Sequence, residues 1–505
     1  MTIDRRGFLT ALGLGGAMVV TGAAGAAATG TPSVRRVPGR RVPGAPVEPP
    51  DWSALKARLD GRLLLPEDQG YAVARLGFNE LYDTQYPAAV AQCTSAEDVR
   101  ICLDAARGHG VPIAARSGGH SYLGYSVPND GLVMDLRPMA RVRVLDDGTA
   151  QVGAGARLIE VYAALAEAGR LLPAGSCPTV GVGGLTLGGG VGVLARKYGL
   201  TCDRLVAAEV VTADSCVRTA SECSEPDLYW ALRGGGGGNF GVVTQFTFRT
   251  EPAPPLTVFS LHFPPGSTPS VVGAWQEWIA DARPELWSNC VVSGGTPPTC
   301  RVGGCYVGPQ SELDPLLDRL VAAVGTPPTS RSVQAKTYLD AMKYMAGCAN
   351  DTIEQCHLQS EGGVLTRAAF VAVSRVLPRA LDPQRMVQLM AGQTGIDLLL
   401  DSMGGAVAQL APDATAFPHR SALATAQVYV GTTPGGQEEA TEAVDAIRDG
   451  LAALGATGAY VNYIDASLPD WGTAYYGRNL PRLKQVARHY DPDQVFAFPQ
   501  SVARA

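Results

Sequence analysis

Two glycine-rich loops carry the side chains whose chemistry is most specific. The first, residues 116–122, reads Arg-Ser-Gly-Gly-His-Ser-Tyr and contains His120, and the second, residues 175–192, contains Cys177 among many glycines. Backbone amides that are free of side chains can converge on a phosphate anion, because no Cβ stands in the way. We therefore predict that both loops wrap one large cofactor that carries phosphate groups.

The second loop matches neither of the common phosphate-binding motifs. Its Gly-Val-Gly-Gly stretch at residues 181–184 lacks the strand–turn–helix surroundings of a dinucleotide-binding fingerprint, and no Gly-Lys-Ser/Thr follows, which excludes a P-loop. A flexible linker is disfavoured because valines and leucines that need burial alternate with the glycines. Taken singly, His120 could be a hydrogen-bonded turn histidine and Cys177 a disulfide partner.

The composition is that of a soluble globular protein with two or three domains. Of its 505 residues, 46% are hydrophobic and 17% are charged, and the formal net charge of -6 argues against a nucleic-acid partner. No Gly-x-Ser-x-Gly or His-Glu-x-x-His motif occurs, so a serine- or metal-dependent hydrolase is disfavoured and no metal site is predicted.

The N-terminus resembles an export signal. The sequence Asp-Arg-Arg-Gly-Phe-Leu-Thr at residues 4–10 precedes a weakly apolar stretch rich in alanine and glycine, as in twin-arginine signal peptides. We predict a signal at residues 1–30, a solvated proline-rich linker at 31–50, an extracellular location and no membrane contact after signal removal. A membrane anchor or a disordered tail is the alternative.

Eleven cysteines occur, none of them in a Cys-x-x-Cys pair, which argues against a zinc ribbon or a thioredoxin-like motif. In an exported protein the cysteines other than Cys177 can pair with one another. Cys300 with Cys305, and Cys348 with Cys356, are close enough for local disulfides. Free buried thiols are an equal alternative for either pair.

The elements that must position these loops form an α+β pattern. Residues 51–254 predict a cofactor-binding domain in which a strand at 111–115 leads into the first loop and a helix at 158–168 leads into the second. Further strands are predicted at 88–94, 132–136, 142–145, 150–153 and 240–250, helices at 52–59, 98–109 and 227–232, and a hairpin at 205–220.

Residues 255–455 predict a second α+β domain, which binds the substrate. Its helices are predicted at 270–282, 312–324, 382–390 and 438–454, and its strands at 256–263, 300–307, 369–373 and 425–430. The C-terminal segment, residues 456–505, is dense in aromatic residues, which indicates that it returns to the cofactor.

Several motifs together resemble one family. Residues 84–250 look like the flavin-binding domain of vanillyl-alcohol-oxidase-type flavoproteins. The His120 and Cys177 loops, Gly-Gly-Gly-Gly-Gly-Asn-Phe-Gly-Val-Val at 234–243, Phe-Pro-His-Arg at 417–420 and the C-terminal segment resemble the branch named for berberine bridge enzyme. That branch contains secreted sugar and oligosaccharide oxidases and natural-product oxidases.

The resemblance implies FAD as the cofactor, attached covalently through His120 and Cys177. It also implies a two-subdomain FAD-binding domain joined to an α+β substrate domain with an antiparallel sheet. The positions that match cofactor-binding residues are Arg116, Ser117, Gly118, Gly119, His120, Ser121, Cys177, Thr179, Val180, Gly181, Val182, Gly183, Gly184, Gly188, Gly190, Gly241, Val242, Val243 and Asn462.

The resemblance also places the chemistry. Tyr463 matches the catalytic tyrosine, which acts as a base once a cationic or polar setting lowers its pKa, while Tyr460 supports it or touches the flavin. Gln427 matches a polar position beside the substrate, with a solvent-facing sheet residue as the alternative. Met403 stands where some members have a second tyrosine. Val182 lines the oxygen path in the family, and its small side chain favours an oxidase.

We therefore expect hydride transfer from an alcohol, hemiacetal or amine carbon to FAD, and from FAD to oxygen, which gives hydrogen peroxide. The expected partners are oxygen and a small-molecule substrate, either a sugar or a secondary metabolite, with the protein a monomer or homodimer. An oxidative cyclase of a natural product and a flavin-containing drug-sequestration protein are the alternatives.

Overall fold

The computed structural model describes residues 50–505. The predicted signal at residues 1–30 and residues 31–49 of the predicted linker lie outside the described residues. The rest forms an N-terminal region with two sheets, a region built on one large sheet, and a C-terminal segment.

The first sheet is the platform for the His120 loop. Its spatial order is β1-β2-β4-β3, in which β2 and β3 run parallel to β4 and β1 is antiparallel to β2. Parallel neighbours require a crossover, and a helix over Ala96–His109 provides it between β2 and β3. The four strands are β1 (Arg62–Leu64), β2 (Ala89–Gln92), β3 (Ile113–Arg116) and β4 (Leu132–Asp135).

The second sheet is antiparallel, with the order β5-β6-β10-β8-β9, and a short pair, β7 with β11, closes the region. Phe246 and Phe248, two positions apart on β10, both point into the core, as expected for a strand with one buried face. The strands are β5 (Val142–Val144), β6 (Thr149–Gly153), β7 (Arg170–Leu171), β8 (Leu205–Val211), β9 (Val217–Ser221), β10 (Val242–Arg249) and β11 (Glu251–Pro252).

Helices cover these sheets. The crossover helix begins at the cap Ser95, whose hydroxyl accepts the Asp98 amide at 3.1 Å, and ends at Gly110 in the left-handed conformation. The helices of this region are α1 (Trp52–Arg58), α2 (Tyr71–Ala74), α3 (Ala96–His109), α4 (Leu158–Glu167), α5 (Val182–Leu187), α6 (Ala195–Tyr198) and α7 (Pro226–Ala231).

The seven-stranded sheet has the order β15-β12-β14-β13-β17-β18-β16, and all neighbours are antiparallel. One face packs against helices in a core that includes Trp275, Leu317 and Val444, which leaves the opposite face to line a cavity. The elements are β12 (Leu256–His262), α8 (Thr268–Ala280), β13 (Leu286–Ser293), β14 (Thr299–Val307), α9 (Gln310–Val324), β15 (Ser330–Lys336), α10 (Tyr338–Met345), β16 (Phe370–Leu377), α11 (Pro383–Leu389), β17 (Ile396–Ser402), β18 (Ala424–Gly431) and α12 (Gln437–Ala453).

Most predicted elements are present within a few residues, and the α+β fold class is confirmed. In the region of the seven-stranded sheet, the sequence did not predict β13, β15, β17 and α10. Strand β13 is buried at seven successive positions and so shows no alternation, whereas the edge strand β15 is largely polar. A helix also begins at Val182, inside the loop that was predicted to have no strand–turn–helix surroundings.

The C-terminal segment packs into the core of the N-terminal region. Its helices are α13 (Trp471–Tyr476) and α14 (Leu480–Tyr490), and Tyr476 and Leu483 join the cluster that contains Phe240 and Trp230. This return agrees with the aromatic density of the segment.

One of the two local disulfides is present. Cys348 is bonded to Cys356, whereas Cys300 and Cys305 are free and buried in β14. Side chains five positions apart in a strand point to opposite faces, so the Cys300–Cys305 pairing is sterically excluded.

Candidate functional site

A single cavity brings most predicted site residues together. The glycine loops form one side, the large sheet forms the floor, and the C-terminal segment closes the remaining side. The predicted residues that line it are Ser117, Gly118, Gly119, His120, Ser121, Cys177, Val180, Gly181, Gly183, Gly184, Gly241, Val242, Val243, Gln427, Tyr460, Asn462 and Tyr463.

Arg116, Thr179, Val182, Gly188 and Gly190 do not belong to the cavity lining. Arg116 is buried beneath the first loop, where its guanidinium pairs with Asp135 at 3.0 Å and holds the end of β3. Val182 is buried and begins α5, so its small side chain gives no information about an oxygen path.

Gly188 makes room for the C-terminal segment instead, and Gly190 makes room for Thr201. A Cβ on Gly188 would collide with the Asn462 side chain. The amide of Gly190 donates to the Tyr460 hydroxyl at 3.0 Å, and Asn462 Nδ2 donates to the same hydroxyl at 2.8 Å. Tyr460 is therefore a structural link between the second loop and the C-terminal segment.

The two glycine loops pack directly on one another. A Cβ on Gly118 would collide with the backbone of Gly181, and a Cβ on Gly181 with that of Gly118, so only glycine permits this approach. The Ser117 hydroxyl reinforces the contact because it accepts the Gly183 amide at 3.3 Å. Distant stretches of sequence therefore form one surface.

His120 and Cys177 meet at Thr179. The Thr179 hydroxyl lies 3.0 Å from His120 Nε2 and 3.6 Å from Cys177 Sγ, and Phe78 stacks on the imidazole with a ring separation of 4.0 Å. Burial, together with the charge of Arg157, lowers the pKa of His120 to about 3, so the ring is neutral. Burial raises the pKa of the Cys177 thiol.

Tyr463 enters the cavity from the C-terminal segment and belongs to an aromatic group. Its ring stacks on that of Tyr122, with centroids 5.4 Å apart, and makes an edge contact with Tyr460 at 5.0 Å. Gln427 faces this group rather than solvent, because its Nε2 donates to the Tyr122 hydroxyl at 2.6 Å. The sequence contained Tyr122 beside His120, but nothing local indicated its role.

The expected lowering of the Tyr463 pKa is not observed. Burial raises the pKa of Tyr463 well above its ordinary value, and Tyr122 and Asp401 raise it further. The phenol is therefore protonated at neutral pH. A base function requires a second group that can take its proton.

Asp401 is a carboxylate whose charge acts on Tyr463, and the sequence did not predict it. It lies on β17 directly opposite Asn289 of β13, and the same face of the sheet carries Leu399 beside Gln427. Desolvation raises the pKa of Asp401 to about 6, although Arg301 opposes this. An aspartate within a strand of leucines was the available signal, since a buried carboxylate usually has a specific partner.

Two further polar groups of the cavity have no hydrogen-bond partner among residues 50–505. Trp287 Nε1 and Asn289 Oδ1 are buried, line the cavity and make no hydrogen bond with residues 50–505. They lie two positions apart on β13 and therefore share a face. Met403, by contrast, is buried in a cluster with Phe417 and Val407, so it offers nothing in place of a second tyrosine.

The cavity suits a flavin nucleotide. A Cβ on Gly184 would stand free of any atom within 4 Å, which leaves open space beside the backbone of α5. Apolar side chains such as Leu158, Leu187 and Val242 line the same space, together with residues 236–238. Amides free of side chains beside an apolar wall fit a pyrophosphate and a ring system.

Residues 50–505 contain neither a metal centre nor a membrane span. No group of three or more His, Cys, Asp or Glu side chains is arranged there to hold a metal ion. Within the same part of the chain, every helix is too short or too polar to cross a membrane.

Comparison with known proteins agrees with this geometry. Residues 87–221 match the FAD binding domain model, and residues 459–503 match the model for berberine and berberine-like proteins. The FAD-linked oxidoreductase YgaK of Bacillus subtilis is 35% identical over 88% of this chain and 98% of its own.

Solved structures extend the likeness. BBE-like 1 of Physcomitrella patens superimposes with a TM-score of 0.84 and 29% identity, covering 90% of this chain and 99% of its own. Glucooligosaccharide oxidase from Acremonium strictum gives a TM-score of 0.81 and 28% identity over 90% of this chain and 99% of its own, and it carries a 6-S-cysteinyl, 8α-N1-histidyl FAD. The chain therefore belongs to the berberine bridge enzyme-like family of FAD-linked oxidoreductases.

Proposed function

We propose that this protein is an exported oxidase that holds FAD covalently through both His120 and Cys177 and releases hydrogen peroxide. One observation carries the proposal: His120 and Cys177 converge on the hydroxyl of Thr179 and line the same cavity as Tyr463. The doubly linked FAD of the similar glucooligosaccharide oxidase supports it.

The local chemistry at His120 fits such a bond. Because the ring is neutral and its Nε2 faces Thr179, Nδ1 is the nitrogen that can bond to the cofactor. The Cys177 thiol becomes the nucleophile only when it loses its proton, and hydrogen bonds from Thr179 favour that loss. Together the two side chains would hold the flavin ring at two points.

Tyr463 and Asp401 would move the proton. The bound FAD supplies a hydride acceptor. Tyr463 accepts the substrate hydroxyl proton as its own phenolic proton passes to ionised Asp401, whose pKa of about 6 suits a base near neutral pH. Gln427 and Tyr122 orient the substrate beside the ring.

The substrate class that we favour is a carbohydrate oxidised at an alcohol or hemiacetal carbon. Trp287, Asn289 and Asp401 place an unpaired donor, an unpaired acceptor and a carboxylate on one patch of the floor. Such a patch suits a polyhydroxylated molecule, since each hydroxyl both donates and accepts. The likeness to an oligosaccharide oxidase agrees.

A second candidate is oxidation or ring closure of an aromatic secondary metabolite. The other half of the floor is apolar, with Phe370, Leu399 and Tyr429 in one cluster. A flat apolar molecule would pack there and place a polar end against Asp401.

Export is proposed from the twin-arginine pattern at residues 4–10 and is supported by the Cys348–Cys356 disulfide, because disulfides persist mainly in oxidising compartments.

The test uses the purified full-length protein. Acid-precipitated protein should remain yellow, and a panel of oligosaccharides and polycyclic metabolites should bleach the flavin under anaerobic conditions for at least one compound. Readmitting oxygen should restore the colour and yield hydrogen peroxide. Flavin that washes out completely in acid would disprove the double linkage, and product analysis separates simple oxidation from ring closure.

A further inference from the structure

Arg157 lies where the two attachment loops meet. Its guanidinium Nη1 donates to the Ser117 carbonyl at 3.2 Å, three residues before His120. Its backbone pairs with Gly181 in an isolated antiparallel bridge, four residues after Cys177. One residue thus contacts the His120 loop with its side chain and the Cys177 loop with its backbone.

The backbone contacts are continued by helix α4, which begins at the next residue. Leu158 N donates to the Val180 carbonyl at 2.9 Å, and Ile159 N donates to the Pro178 carbonyl at 3.1 Å. Amides in the first turn of a helix have no acceptor within the helix, and here carbonyl groups of the Cys177 loop accept from them. The Cys177 loop therefore depends on the position of α4 and not on the Arg157 side chain.

The Arg157 side chain depends on a residue of the substrate-binding region. Glu361 Oε1 accepts from Arg157 Nη2, and Arg137 Nη1 lies 3.7 Å from the same oxygen. The Arg157 side chain is only 5% exposed. A guanidinium buried to this degree needs a counter-charge, because removing one partner of a buried pair leaves an uncompensated charge.

Glu361 is itself held by a docked loop, residues 346–363. The Cys348–Cys356 disulfide closes the first part of this loop, and Ala346, Cys348 and Cys356 pack on Ile159 of α4. His357 Nε2 lies 3.3 Å from Glu160 Oε1, also on α4. The loop is thus fixed to the helix by contacts that precede Glu361 in the sequence.

We infer that Arg157 and Glu361 are a positioning pair for the His120 linkage, through which the docked loop controls how completely the cofactor is attached. The inference rests on the proposed double linkage. The Arg157–Glu361 pair is assigned to the His120 linkage and not to the Cys177 linkage, because the Arg157 side chain donates to the His120 loop.

The bond in question joins a ring nitrogen of His120 to the methyl carbon on the flavin benzene ring. One N–H and one C–H bond break as the N–C bond forms, the flavin takes up both hydrogens with two electrons, and dioxygen removes them as hydrogen peroxide. The reaction needs the imidazole held beside the methyl carbon. The hydrogen bond from Arg157 fixes the backbone that sets this position.

The experiment measures each linkage separately. Full-length protein is purified with its flavin and digested, and flavin-bearing peptides that contain His120 or Cys177 are quantified by mass spectrometry. In Glu361→Gln and Arg157→Gln we expect the His120-linked fraction to fall about tenfold, as for loss of a charge-assisted hydrogen bond, with the Cys177 linkage retained. Arg157→Lys should restore part of the His120 linkage.

The matched control is Glu225→Gln, which removes another carboxylate–arginine pair, with Arg218 Nη1 at 2.8 Å, and touches neither loop. It should leave both linkages complete. Thermal unfolding of each variant separates general destabilisation from the expected effect, because destabilisation would lower both linkages together.

Three results would overturn the inference. Both linkages could stay complete in Glu361→Gln and Arg157→Gln, both could fall in parallel, or the control could lose the His120 linkage equally. Unmutated protein that yields no flavin-bearing peptide would instead disprove the proposed double linkage, a result distinguishable from all three.

Discussion

The two ends of the cavity differ in how their polar side chains are hydrogen-bonded. At the attachment end, His120 and Cys177 both contact Thr179, and Phe78 covers the imidazole. At the floor end, Trp287 Nε1 and Asn289 Oδ1 are buried and have no partner within residues 50–505. A buried polar group without a partner costs about 1–3 kcal/mol. A ligand that pairs with these two floor groups would remove that cost, whereas His120 and Cys177 already have the Thr179 hydroxyl as a partner.

This difference shows which end can change without loss of the fold. The loops at the attachment end pack glycine against glycine, so almost any substitution there disturbs the backbone. The floor side chains project from a regular sheet, so exchanging them leaves the hydrogen bonds between the strands in place. We expect substrate preference to vary at the floor while cofactor attachment stays constant.

The largest effect should come from removing both side chains that attach the cofactor. In the double variant His120→Ala with Cys177→Ala we expect no flavin in acid-precipitated protein, while each single variant keeps its flavin through the other bond. Absorption of the redissolved pellet checks this. A single variant that loses all its flavin would show that the two bonds are not independent.

Tyr463→Phe should separate catalysis from cofactor attachment most clearly. We expect flavin reduction by substrate to slow about a thousandfold, within the range for loss of general base catalysis, with covalent flavin content unchanged. Stopped-flow bleaching under anaerobic conditions gives the rate. Tyr344→Phe, a substitution on α10 outside the cavity lining, is the control. Reduction at a normal rate would remove Tyr463 from the mechanism.

Asp401→Asn should have a smaller effect with a distinctive pH signature. Because burial raises the Asp401 pKa to about 6, the carboxyl is protonated below that pH and ionised above it. We expect kcat/KM of the unmutated enzyme to rise with pH through about 6, and the variant to be about 10–100-fold slower without that rise. A pH profile of the same shape in both proteins would contradict this role.

The smallest effect should come from the unpaired groups of the floor. Trp287→Phe and Asn289→Leu each remove one hydrogen-bonding group, so KM for a carbohydrate substrate should rise about tenfold with little change in kcat. Val291→Ala on the same strand is the control, since it shortens a buried apolar side chain and removes no hydrogen-bonding group. A change in kcat alone would show that these groups act on the reaction rather than on binding.

Sequence predicted the attachment end well and the floor poorly, for a physical reason. His120 and Cys177 lie in loops whose glycines are visible locally, and the strand and helix that precede them have clear patterns. Asp401 and Asn289 become neighbours only through the register of β13 with β17, two strands that the sequence did not reveal. Hydrogen-bond register between distant segments is a tertiary property that no local pattern contains.

Individual roles show the same limit. Tyr463 and Gln427 were assigned from resemblance and do lie in the cavity. Arg116 is predicted to bind the cofactor, yet its guanidinium forms an ion pair with Asp135 beneath the loop. The direction of the Tyr463 pKa could not be known in advance, because it depends on how completely neighbouring chain segments bury the phenol.

The placement of the C-terminal segment has a consequence for biosynthesis. Residues of α13 and α14 share one core with strands of the N-terminal region, and Tyr463 reaches the cavity only through this segment. A ribosome must therefore make almost the entire chain before the cavity can close. Incomplete translation products would lack Tyr463 and leave apolar surface around Phe240 and Trp230 uncovered, so cellular quality control could recognise them before they acquired any redox activity.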